Sequence, residues 1–353
     1  MNISIIGAGN GGQAMAGHFS LLGHNVTLYN RSTPKLEMIK KKGGIRLSEA
    51  INDFAKIGCL THSLEEAIAD SNLIMVVTTA DAHKELAVNM APFLQDGQIV
   101  VLNPGRTLGA LEFSKYLNKY SSKKIYIAEA QSLIYACRAD IPGEVRIIGI
   151  KDKVLLASYP SNETQFVTEI LNSIYDCFIG VDNVLITGLE NIGAIFHPII
   201  VMFNAATIER GQEFYFYNDM TPAVADFIVE ADKERLRIGE AFGLRLHSAS
   251  DWVSFAYKDI VGNDLCEKMK NNPAYYKILA PKKLNSRLLL EDIPTGILPL
   301  VELAKMAGVD VPILSSILNI TQNLLKADYS LTGRTLMNLE LSGFTKKSFL
   351  ESL

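Results

Sequence analysis

The opening stretch, MNISIIGAGNGG, narrows the folds open to this chain more than any other. A short apolar run from Ile3 to Ile6 meets Gly7-Ala8-Gly9-Asn10-Gly11-Gly12 at once, and residues 13–22 continue with helical spacing. A strand that enters a helix through G-x-G-x-x-G is the first unit of a dinucleotide-binding sheet. Gly7 permits the tight turn, Gly9 lets the backbone approach a pyrophosphate, and Gly12 lets helix and strand pack closely. Asn10 opens the helix whose N-terminus receives the anion.

Further strand signals lie at residues 25–29, 73–78, 99–102, 124–128, 145–150 and 153–156, with helical patterns at 34–42, 64–69 and 82–93. The alternation predicts an α/β domain built on a mostly parallel, doubly wound sheet of Rossmann type, with ligands at the carboxyl ends of its strands. Thr78 and the segment to His83 fall on that rim, as does Asn103, near the expected nicotinamide. His83 reads either as a cover for the cofactor or as a surface residue at a helix start.

After the second strand, NAD-binding units place an Asp or Glu that accepts from the adenine ribose and repels a 2′-phosphate. Here the chain reads Asn30-Arg31-Ser32, with Lys35 one helical turn beyond Arg31. A neutral Asn30, a fork-shaped Arg31, a donating Ser32 and a second cation favour NADP (as NADPH), with NAD as the other possibility.

A chain of 353 residues exceeds one ordinary core, and two domains are expected, residues 1–184 for the dinucleotide and 185–353 for an all-α substrate and catalytic domain. The net charge of −4 leaves no basic footprint for nucleic acid. The N-terminus has no basic flank or cleavage site, and the apolar run at 194–206 is broken by His197, Pro198 and Asn204, so neither a signal peptide nor a membrane span is read. Cys59, Cys137, Cys177 and Cys266 form no CxxC pair, which suggests no metal site, no disulfide framework and a reducing cytoplasm. A homodimer is a further expectation.

From Gly188 onward helical patterns dominate. Leu189, Ile192, Phe196, Ile199, Ile200 and Phe203 mark one apolar face that continues to about Glu209. Glu190, His197 and Asn204 recur every seven residues, which would stack them on one line of that helix. A polar stripe on a greasy helix needs partners or a ligand, and Pro198 predicts a kink that aims His197 into a cleft as an acid/base. Glu190 and Asn204 are then substrate-binding candidates. A second cluster, Arg287-Leu288-Leu289-Leu290-Glu291-Asp292, precedes a helix near residue 297. Arg287 suits a bidentate grip on a substrate carboxylate, and Asp292 suits the fixing of an imidazole tautomer. The aromatic run from Phe214 to Tyr217 reads as pocket lining or interface packing. Residues 221–242, with Glu230, Asp232, Lys233, Glu234 and Arg235, read as a scaffold helix with a solvated charged face.

With these residues in hand the chain resembles the octopine/nopaline dehydrogenases, the opine dehydrogenases. The resemblance rests on the glycine-rich opening, NPGRT at residues 103–107, the segment ending Ile134-Tyr135-Ala136-Cys137-Arg138, ENIGAIFHP at 190–198, and the segment from Arg287 to Pro294. It implies that His197 and Asp292 form a proton-relay pair and that Arg287 binds substrate. The implied reaction joins an amino acid's amine to a 2-oxo acid, often pyruvate, through an imine that NAD(P)H reduces. Ketopantoate reductase and glycerol-3-phosphate dehydrogenase share the two-domain plan but place a lysine on the corresponding helix, and residues 190–209 contain none. A non-catalytic NADP sensor is the reading from another class.

Overall fold

The computed structural model describes all 353 residues. They form two compact units, one of Met1–Gly105 with Gly109–Val184 and one of Leu185–Leu353 with Arg106–Leu108.

In the first unit, β1 (Asn2–Ile6) leads through the glycines into α1 (Asn10–Leu21), followed by β2 (Asn25–Tyr29) and α2 (Thr33–Lys42). Two strands, β3 (Ile45–Glu49) and β4 (Asp53–Ala55), come before β5 (Cys59–Thr61) and α3 (Leu64–Ile68). Then follow β6 (Leu73–Val76), α4 (His83–Met90), β7 (Ile99–Leu102), α5 (Gly109–Asn118) and β8 (Tyr126–Ala130). The unit ends with β9 (Tyr135–Ile141), β10 (Glu144–Ile150), β11 (Val154–Tyr159), α6 (Thr164–Asn172) and β12 (Phe178–Gly180).

Eight strands make the main sheet in the order β12-β11-β8-β7-β6-β1-β2-β5, parallel except where β11 meets β8. The strand order reverses between β1 and β6, which opens a crevice at their carboxyl ends. Four-residue strands such as β6 and β7 are buried throughout because helices cover both faces.

Residues 145–150 do not extend this sheet. They form β10 of a second, four-stranded sheet, β4-β3-β10-β9, which the reading of one sheet missed. Its signals are the alternation in Ile45–Glu49 and the Pro142-Gly143 turn between β9 and β10. The second sheet explains α1. Residues 11–19 are all buried, because α1 packs on β1 and β2 on one side and on β3, β4, β9 and β10 on the other. Its buried polar side chains are partnered, Gln13 donating to the Ala8 carbonyl at 3.0 Å and His18 Nδ1 lying 2.8 Å from the Tyr135 hydroxyl.

The second unit is helical. α7 (Val184–Leu189), α8 (Ile192–Phe203) and α9 (Ala205–Glu209) replace the single expected helix. They are followed by α10 (Pro222–Ala241), α11 (Ala249–Ala256), α12 (Leu265–Asn271) and the one-turn α13 (Arg287–Leu290). A π-helical turn, Ile293–Ile297, then runs into α14 (Leu298–Ala307), with α15 (Pro312–Leu325) and α16 (Lys346–Glu351) closing the chain. The stretch Val184–Phe203 is long and apolar enough to cross a membrane, but most of it is buried in the protein, as a core helix would be.

Candidate active site

At the crevice of the first unit the glycines meet steric demands that only glycine satisfies. Gly7 has φ +112°, and a Cβ there would lie 2.9 Å from Thr78 Cγ2. A Cβ on Gly12 would overlap the Gly7 carbonyl, whereas the space beside Gly9 is open. Gly9 caps α1 without a side chain, which leaves the first amides of that helix available to an anion.

Two polar groups at the strand ends have no protein partner. Asn103 is 1% exposed, and neither its amide oxygen nor its amide nitrogen is hydrogen-bonded; Thr78 Oγ1 is likewise buried and unpartnered. Buried orphans of this kind call for a ligand. The open cradle and the orphaned polar groups of Asn103 and Thr78 fit a dinucleotide.

The other rim residues are engaged locally. Asn10 Oδ1 accepts from Ala139 N at 3.2 Å, so its side chain serves β9. Asn30 Oδ1 accepts from Ala8 N at 3.1 Å while its amide nitrogen donates to Ser32 O and Oγ, both at 2.9 Å, closing the turn after β2. Arg31 lies 3.7 Å from Glu85, with both side chains mostly exposed, and Lys35 is exposed. A surface pair of that kind is weak and exchangeable. His83 is fully buried, which corrects the surface reading.

In the second unit, the line of Glu190, His197 and Asn204 is broken up. Glu190 lies in the interruption between α7 and α8, where its Oε1 accepts from the amide and from Nδ1 of His247 at 2.7 and 2.9 Å. That hydrogen bond raises the His247 pKa against the opposing effect of burial. Fully buried Arg235 completes the joint, donating to Asp232 at 2.7 Å and to the Leu189 carbonyl at 2.9 Å. Glu190 thus holds a helix break through His247. Asn204 ends α8, with its amide nitrogen donating to the Ile200 carbonyl at 2.9 Å. It too works as a terminator. The helix runs on through Pro198, and the interruption falls before it rather than at it.

Buried carboxylates also correct the reading of α10. Asp232, Glu234 and Arg235 are all in the interior, and Glu234 accepts from the amides of Ile313 and Leu314 at 2.9 and 2.8 Å, capping α15. Glu230 and Lys233 remain on the solvated face.

His197 and Asp292, 95 positions apart, meet with Nδ1 2.8 Å from Oδ2. Asp292 is wholly buried and His197 keeps 14% of its side chain open. Nε2 of the imidazole lies 3.1 Å from the Tyr217 hydroxyl. The sequence did not single out the cation behind this pair. Arg106 is 8% exposed; its Nε donates to Glu291 at 3.1 Å and its Nη1 to Asn191 at 3.2 Å. The same Nη1 is 3.3 Å from Asp292 Oδ1, which receives its charge without a hydrogen bond. Burial pushes the Asp292 carboxyl up, but Arg106 and His197 outweigh it and hold the group below the usual carboxylate range.

Gly193 makes room for the guanidinium on the face of α8, since a Cβ there would lie 2.6 Å from Arg106 Nη1 and 3.2 Å from His197 Cε1. The loop carrying Arg106 is pinned on both sides. Thr107 donates to the Gly188 carbonyl at 2.8 Å, and Arg334 donates to the Thr107 carbonyl at 2.9 Å. Arg287 pairs with Glu291 at 3.3 Å and is 58% exposed, so its guanidinium retains capacity for a second anion.

A Rossmann-type unit with a dinucleotide cradle and an α-helical unit with a buried Asp–His pair define a nicotinamide-dependent oxidoreductase. Residues 180–325 match the family described as NAD/NADP octopine/nopaline dehydrogenase, alpha-helical domain, and residues 2–107 match the NAD binding domain of 6-phosphogluconate dehydrogenase. The chain is 34% identical to an opine dehydrogenase of Arthrobacter sp. (strain 1C), over 97% of this chain and 96% of that one. An octopine dehydrogenase solved with NADH and L-arginine superposes with a TM-score of 0.78 at 20% identity, covering 100% of this chain and 98% of that one. A yersinopine dehydrogenase with NADP+ bound gives 0.69 at 16% identity, covering 100% and 97%. The protein belongs to the opine dehydrogenase family and is an NAD(P)-dependent dehydrogenase.

Proposed function

We propose that this protein condenses the amine of an amino acid with a 2-oxo acid such as pyruvate and reduces the resulting imine to a secondary amine. The observation that carries the reading is the 2.8 Å pairing of His197 Nδ1 with a buried Asp292. A carboxylate held ionised is an acceptor only, so Nδ1 keeps its hydrogen and Nε2 is the nitrogen that exchanges protons. Condensation needs such a group, because the attacking nitrogen must lose a proton and the carbinolamine oxygen must gain one before water leaves. Arg287, exposed and only partly paired, holds a substrate carboxylate. A bound NAD(P)H would supply the hydride; the α1 N-terminus, Gly7, Gly9 and Gly12 would hold its pyrophosphate, and Asn103 and Thr78 would offer polar partners at its nicotinamide end.

NADPH is the preferred cofactor and NADH the lesser one. The support is the neutral Asn30 at the end of β2, with Arg31 and Lys35 exposed beside it, since a cation is needed only for the 2′-phosphate. The enzyme works in a reducing cytoplasm, which suits four cysteines that form no disulfide.

The test is cofactor oxidation with pyruvate against a panel of amino acids, run with NADPH and NADH. Oxidation that requires both pyruvate and an amine supports the reading. Oxidation with the keto acid alone would replace it with a ketopantoate-reductase-like activity, and no oxidation with any mixture would leave a cofactor sensor.

A further inference from the structure

We propose that Tyr217 is a further catalytic residue, whose hydroxyl carries the proton between His197 Nε2 and the reacting oxygen and nitrogen of the substrates. The proposal rests on the reductive condensation set out above.

The imidazole has two nitrogens, and both are engaged. Nδ1 faces Asp292 at 2.8 Å; Nε2, the acceptor of a neutral ring with its hydrogen on Nδ1, faces the Tyr217 hydroxyl at 3.1 Å. A proton leaving the imidazole for a substrate must go through Nε2, where Tyr217 stands. Three groups therefore form one chain, Asp292 to His197 to Tyr217.

The ring of Tyr217 is packed on two sides by aromatic rings. It stacks on Tyr275 with centroids 4.4 Å apart and meets Phe216 edge-on at 4.9 Å. The turn that bears it is clamped, with Phe216 N donating to the Ile278 carbonyl at 2.7 Å, Ala280 N to the Phe214 carbonyl at 3.0 Å and Tyr215 N to Asp219 at 2.6 Å. This arrangement accounts for the aromatic run of the sequence, which no single helix or strand face explains. A phenylalanine would fill the same stack. The hydroxyl adds what the stack does not require, a hydrogen-bonding group placed on the imidazole and preorganised for transfer.

The proton balance closes without another reactant. The amino acid's nitrogen enters as an ammonium and gives up two protons, both of which the carbonyl oxygen takes. The first passes to the phenol oxygen while the phenol's own proton moves to Nε2, leaving an imidazolium paired with Asp292, and the freed amine adds to the ketone carbon. The second passes from the adduct nitrogen through the phenol to the new alkoxide, giving the carbinolamine. Nε2–H then returns to the phenol oxygen as the phenol proton goes to the carbinolamine hydroxyl. The carbon–oxygen bond breaks, water leaves, and the nitrogen lone pair forms the C=N bond of a protonated imine. Tyr217 and His197 end in their starting states.

Tyr217→Phe keeps the stack and removes only the relay. With the full-length enzyme, NADPH, pyruvate and the amine that the panel selects, kcat should fall about 30-fold or more, with each KM within about threefold of wild type. The melting temperature should stay within about 2 °C of wild type. Tyr275→Phe, which also loses a hydroxyl from the aromatic cluster but none from the imidazole, should keep kcat within about threefold. A Tyr217→Phe enzyme with near-wild-type kcat, a loss confined to KM, or an equal loss in Tyr275→Phe would each overturn the proposal. A wild-type enzyme that oxidises no NADPH with these substrates would instead refute the reductive condensation itself.

Discussion

Replacing Arg106 by Met tests whether one buried cation holds the His197–Asp292 pair together. The guanidinium lies within 3.1 to 3.3 Å of Glu291, Asn191 and Asp292, and both carboxylates are at most 2% exposed. Met fills much of the alkyl volume but leaves two adjacent carboxylates in the interior without their shared counter-charge. Breaking a buried ion pair from one side costs about 3–5 kcal/mol, which in a unit of this size lowers the melting temperature by on the order of 10 °C. The loss depends on pH with a definite sign. In the wild type Asp292 has a lowered pKa, so its contribution is present above the unfolded value of about 3.9 and fades as pH falls through the folded value. In Arg106→Met the effect of burial is no longer outweighed, the folded pKa moves above the unfolded one, and the same carboxyl destabilises at neutral pH but not when protonated. Melts at pH 8 and pH 5 should show the larger deficit at pH 8. The acid side of the kcat/KM profile should move to higher pH, because Asp292 must be ionised to hold the imidazole hydrogen. A deficit under about 1 kcal/mol, or one equal at both pH values, would refute the account of Arg106 as the charge that keeps Asp292 ionised.

His197→Ala should lower kcat by about a hundredfold or more while NADPH affinity, measured by fluorescence titration, stays near wild type; a surviving turnover would remove His197 from the mechanism. Gly193→Ala sets about 1 kcal/mol of helix propensity against a Cβ 2.6 Å from Arg106 Nη1, and since that guanidinium is held on three sides the clash wins. Its kcat should drop about tenfold, whereas wild-type activity would mean that the network yields at little cost. Arg31→Ala should weaken NADPH at least about tenfold more than NADH in paired KM measurements, and equal losses would show that Arg31 only packs or stacks.

The chain's own order of residues carried the first unit a long way. β1, its glycines and α1 are contiguous, and their chemistry is local: a positive φ at Gly7, a helix start at Asn10, an apolar period of 3.6. The second sheet escaped because two register shifts break the alternation of β10 and partners such as β3 and β10 are about a hundred residues apart. In the second unit the sequence marked His197 as chemically out of place on a greasy helix, but spacing alone also gathered Glu190 and Asn204 into a stripe. Those two lie at the ends of α8, where terminal carbonyls and a helix break demand partners.

Residue type and local period thus determined that a dinucleotide fold begins the chain, and they marked His197, Asp292 and Arg287 as candidates. Only the tertiary structure decided which charges meet. Arg106 reaches Glu291 across 185 positions, from a loop with Arg106 and Leu108 both at positive φ, and it needs the gap left by Gly193. No window of sequence contains that contact. Its cause is electrostatic: two carboxylates buried side by side require a cation, and folding supplies it from a distant loop.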